Sequence, residues 1–314
     1  MNQDLPRRNT LSDAPRWVHI VVWGAFAAIT LACIVLYVQY REANPWPRWL
    51  GESAANRWPT GEETHFSERI FPASIFRTPA NTFSNLGYVF VGFYILAYAF
   101  WDHRRTTTQR DPYAVRQPQL MVYFGVACCF LGFGSGFMHA SLTSIGHWYD
   151  LLGMYGSLVA VIALQWARWL PAIPLGAWRL PTWPVFAPAA MGATYYCAAN
   201  DGRFGVLAIM GTLIGMIIAG FAIDLLRLRV SMQHRWYILS LSTFVIAYAI
   251  WNLAEANRFA GPDDWWQGHA LWHVLTAFAL GFLAILYRSE VPRERGESVR
   301  TTPDEASVTS GASA

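Results

Sequence analysis

Lysine is absent from this chain, and all 23 of its basic side chains are arginine. The bias fits a GC-rich coding sequence better than a basic partner surface, because the arginines are scattered through short segments. Nucleic-acid binding therefore has no electrostatic footprint here. Charge of either sign is scarce, at 14% of 314 residues, where an ordinary soluble domain carries roughly 25%. Cysteine is scarce too. The four present (Cys33, Cys128, Cys129 and Cys197) sit inside apolar stretches without metal spacing. They read as small packing residues, and a disulfide framework is excluded.

What fills the space is apolar. Hydrophobic residues make up 54% of the chain, with sixteen Trp and fourteen Tyr to form aromatic belts at two lipid–water boundaries. Eight apolar stretches run from Trp17 to Tyr40, Thr82 to Trp101, Leu120 to His139, Trp148 to Trp169, Leu180 to Ala199, Phe204 to Leu226, Trp236 to Ala254, and His269 to Tyr287. Each approaches the length a helix needs to cross hydrocarbon, which predicts an all-α, polytopic membrane helix bundle. The fifth is the weakest, because Pro181, Pro184 and Pro188 crowd its start. The first is too long for a signal core and lacks a following Ala-x-Ala site, so it reads as a retained helix.

The expected organisation follows. A cytoplasmic N-terminus (1–16) precedes an extra N-terminal transmembrane helix (17–40) and a non-cytoplasmic loop (41–80). A seven-helix core (81–288) and a polar, disordered cytoplasmic tail (289–314) complete the chain. With both ends inside, sixteen of the 23 arginines fall in cytoplasmic segments, and five of the other seven lie in one long loop. The positive-inside rule favours that orientation. It predicts an integral protein, in a bacterial inner membrane, with both termini cytoplasmic.

This orientation owes nothing to the histidines, yet it places His139, Asp150 and His269 at helix ends on the non-cytoplasmic side. Ionisable groups near lipid are costly and usually mark a site. His269 and His273 are four residues apart and share one helix face. His139, at the same depth on another helix, is the natural third ligand, and three imidazoles plus water suit zinc. The zinc-protease signature would place a Glu where Ala270 stands, so Asp150 is the expected general base. Ser135, one turn from His139, either bonds back to its own helix or donates to a developing oxyanion. Gly132 and Gly136 have the spacing of close helix packing. His147 could supplement a ligand. Asn81 and Asn85 read as interhelical glue, and Glu255 and Asn257 likewise. Glu62, Glu63 and Asp263 are expected to face water.

Ser135-Gly-Phe-Met-His139, then Asp150, then His269-Ala-Leu-Trp-His273, with Asn81-Thr-Phe-Ser-Asn85 before them, resembles the alkaline ceramidase family over approximately Glu68 to Tyr287. The wider superfamily includes adiponectin-type receptors. The resemblance implies a seven-helix core holding zinc on His139, His269 and His273, with Asp150 and Ser135 catalytic. The implied reaction is hydrolysis of the N-acyl bond of a ceramide-like lipid. It also implies a calcium site with Glu68 as one ligand. Against calcium, the acidic residue expected before the Asn–Thr pair is replaced around Arg77–Thr78. The additional N-terminal helix is a second departure. Two other readings use the same residues: a lipid-sensing receptor or structural protein braced by zinc, and a haem-binding electron carrier.

Overall fold

The computed structural model describes residues 14–43, 45–46, 56–57, 61–108, 111–170, 172–176, 178–199, 205–227, 230–231 and 233–292. The expected disordered tail lies outside them beyond its first four residues, as does the N-terminal segment apart from its last three.

The chain is 73% helical, and its strands are two or three residues long, so apolar helices alone define the architecture. The helices are α1 (Arg16–Gln39), α2 (Pro79–Ser84), α3 (Leu86–His103), α4 (Tyr113–Arg116), α5 (Pro118–Ser141), α6 (Ser144–Trp166), α7 (Trp183–Ala199), α8 (Val206–Arg227), α9 (His234–Glu255) and α10 (Gly268–Arg288). The strands are β1 (Asn56–Arg57), β2 (Glu63–His65), β3 (Glu68–Arg69), β4 (Ile173–Leu175), β5 (Trp178–Leu180), β6 (Val230–Ser231) and β7 (Val291–Pro292). They pair antiparallel as β1-β2-β3, β4-β5 and β6-β7.

Seven spans among the described residues are long and apolar enough to cross a membrane, with α2 and α3 counted as one. This is a membrane helix bundle, as the composition predicts. Helix α7 is the exception at 17 residues, with Pro188 inside it. It begins at Trp183 rather than Leu180 because Leu180 belongs to β5 and Pro181 follows. At about 1.5 Å per residue it falls short of the hydrocarbon thickness.

Helices α5 and α6 form the central hairpin. Pro118 occupies the first turn of α5, where its missing N–H costs nothing. Left-handed Leu142 (φ +48°) ends the helix, and the Thr143 hydroxyl then accepts from Gly146 N to start α6. Close approach needs glycine here. A Cβ on Gly134 would lie 2.5 Å from the Tyr149 carbonyl oxygen, and one on Gly132 would lie 2.6 Å from Val89 Cγ2. Helix α8 packs on α6, α9 packs on α10, and α10 also contacts α3. Helix α1 leans on α3 through aromatic contacts such as Trp23 and Phe26 against Phe90, leaving most of its surface exposed.

Candidate metal centre

Three histidines meet at one end of the bundle. His139 sits in the last turn of α5, and His269 and His273 lie in the first two turns of α10. All are buried, at 1%, 5% and 3% exposure. One nitrogen from each lies within 4.8 Å of the others, and the three residues could hold a metal ion. His139 Nε2 and His269 Nε2 are 3.2 Å apart. Imidazole nitrogens bound tetrahedrally at about 2.0–2.1 Å from zinc would be separated by about 3.3 Å, a spacing the His139–His269 pair matches.

The elements that fix these rings are local. His273 Nδ1 lies 2.8 Å from Ser84 Oγ and 3.2 Å from Asn85 Nδ2. Ser84 donates its own proton to the Asn81 carbonyl at 2.9 Å, so its oxygen can accept from Nδ1–H. That tautomer leaves the Nε2 lone pair for a metal, the usual arrangement behind a ligating histidine. The end of α5 is held by the segment before α2. Thr78 Oγ1 donates to the His139 carbonyl at 2.8 Å, and the buried Arg77 guanidinium donates to the Ser141 carbonyl at 2.6 Å. A cation at a helix C-terminus satisfies its last carbonyls and its dipole. Arg77 and Thr78, which stand in place of an expected acidic residue, thus hold His139 in position.

Asp150 on α6 and the buried Ser135 on α5 line the same cavity as the triad, of about 680 Å³. The structure brings together the five residues expected at a metal and catalytic site. Away from them the walls are apolar, with Ile217 on α8, Phe244 and Trp251 on α9, and Leu280 and Leu283 on α10. Glu255 stands at the rim, and His147 lines the cavity outside the triad.

Glu68, the residue the resemblance offers for calcium, caps a helix. Its two carboxylate oxygens accept from Ala80 N and Asn81 N at 2.7 and 2.9 Å, capping α2. Burial pushes its carboxyl up to about 7, against the pull of those two N–H groups. Among the described residues, the three histidines are the one grouping of His, Cys, Asp or Glu able to share an ion. Asp263 is exposed but pairs with Arg69, while Asn257 Oδ1 lies 3.0 Å from Ser67 Oγ.

Two residues near the triad lie outside the expected ligand and catalytic set. Ser84 looks like packing polarity until its distance to His273 is known. His65 lies on β2, outside every apolar stretch, yet its ring centroid is 5.5 Å from that of His139. Burial first, and then the charge on His147, lower its pKa to about 4. Next to it, Phe66 stacks on His269 at 3.7 Å.

No protein-family model matches this chain, and no curated protein matches it either. The resemblance to alkaline ceramidases therefore stands on the quoted residues alone.

Proposed function

We propose that this chain is an intramembrane zinc-dependent amidase that cleaves the N-acyl bond of a ceramide-like lipid, a member of the alkaline ceramidase type. The observation that carries the reading is the convergence of a buried three-histidine cluster and a Ser135–Asp150 pair on one apolar cavity. Apolar walls suit acyl chains, and polar groups at one end suit a single reacting amide. Zinc, held by His139, His269 and His273, would supply Lewis acidity toward the amide oxygen and toward water.

The remaining chemistry belongs to the chain. Asp150 takes a proton from the attacking water as the water oxygen bonds to the acyl carbon. It returns that proton to the nitrogen as the C–N bond breaks, releasing a fatty acid and an amine. Ser135 holds Asp150 in the resting site and turns its single proton toward the oxyanion as charge develops. The arginine distribution supports both termini in the cytoplasm and the site at the opposite face of the membrane, which we take as a bacterial inner membrane.

Purified protein assayed by mass spectrometry against a panel of N-acyl lipids should release free fatty acid, and metal removal should stop it. Asp150→Asn should retain zinc and lose hydrolysis. Zinc-independent release, or full turnover by that variant, would overturn the mechanism. Bound zinc without any product would favour the braced receptor.

A further inference from the structure

The turn joining β2 to β3 faces the histidines from the loop side. Phe66 and Ser67 both have left-handed backbones, with φ +51° and +71°, as a tight two-residue hairpin turn requires. Neither is glycine, so the conformation is costly and must be held from outside. Ser67 Oγ donates to the Ala254 carbonyl at 2.6 Å, and the His65 carbonyl accepts from Asn81 Nδ2 at 3.4 Å. Phe66 is held by its stacking on His269. The hairpin is thereby fixed to α2, α9 and α10 together.

What this turn presents is His65. Its side chain is 6% exposed and lines the cavity, and its Nδ1 is buried without a hydrogen-bond partner. It lies outside the group of nitrogens that can share one ion. A buried polar atom without a partner is costly unless a ligand pairs with it. The apolar chamber extends the other way, along α10 to Leu280 and Leu283. A lipid with its tails in that chamber and its amide at the triad directs its headgroup at the hairpin.

We propose that His65 hydrogen-bonds a headgroup hydroxyl of the lipid and thereby selects hydroxylated substrates. This rests on the reading of the cavity as an N-acyl lipid site. The test measures binding, in the Asp150→Asn background to prevent turnover, of a ceramide and of its headgroup O-methyl ether. Adding His65→Phe keeps the ring and removes both nitrogens. The hydroxylated lipid should then bind about ten-fold more weakly, the ether should be little affected, and His65→Gln should recover most of the loss. Zinc content should stay unchanged in every variant. Equal weakening of both lipids, no weakening, no binding of either lipid, or loss of zinc would overturn the assignment. Selective binding without hydrolysis by the parent protein would instead sink the amidase reading and leave His65 in place.

Discussion

In the tautomer whose Nδ1–H donates to Ser84 Oγ, 2.8 Å away, His273 offers Nε2 to a metal. Ser84→Ala should weaken metal affinity by about 10–100-fold in a chelator competition, with the helices intact. An unchanged affinity would remove Ser84 from the site. Glu68 carries a different expectation. The folded protein holds its proton to about 7, well above the ordinary 4.5 of the unfolded chain. Its contribution to stability is therefore complete below 4.5 and is lost as pH rises through about 7. Thermal midpoints in detergent should fall between about pH 5 and about pH 8, and Glu68→Gln should flatten that fall. An identical slope in the variant would assign the pH dependence elsewhere. At this scale, His139, His269 and His273 were legible because ionisable groups stand out in apolar stretches. Ser84, His65 and the capping role of Glu68 were not, since each depends on a partner distant in sequence or on a carbonyl that no residue type advertises.

Helices were legible from apolar length, and their ends from proline and polar residues. The start of α7 slipped by three residues because β4 and β5 pair without any alternating pattern long enough to read. The β2–β3 hairpin was missed for a related reason, as Phe66-Ser67 offers no Asn-Gly or Gly-Gly signal at its turn. Helix contact, by contrast, makes a sharp prediction. A Cβ on Gly153 would meet Leu131 Cα at 2.6 Å, whereas one on Gly24 would meet nothing within 4 Å. Gly153→Ala should cost about 1–3 kcal/mol by forcing α5 and α6 apart. Gly24→Ala should be neutral or slightly stabilising, because a helix prefers Ala. Equal thermal midpoints for the two variants would refute this packing of the central hairpin.

Taken whole, the bundle is polarised. The histidines occupy one end, and a buried ionic cluster ties together the other, where Arg168 pairs with Asp224 and Glu290 and Arg288 with Asp102. These pairs join α3, α8 and α10 with the segment after α6, which braces helices that the apolar cavity leaves apart. Arg168 and Arg288 had entered the topology argument simply as positive charges, because their partners are far away in sequence. Breaking a buried pair strands the other charge, so Asp102→Asn should destabilise by about 3–5 kcal/mol without changing metal content. Loss of metal in that variant would mean the two ends are coupled. The central claim concerns the other end, where imidazoles from α5 and α10 share one ion. X-ray absorption at the zinc edge of the purified, zinc-loaded protein tests it most directly. The account predicts three imidazole nitrogen scatterers at about 2.0–2.1 Å, one of them lost on His269→Ala. A zinc-free protein after loading, or a spectrum unaltered by that substitution, would contradict it.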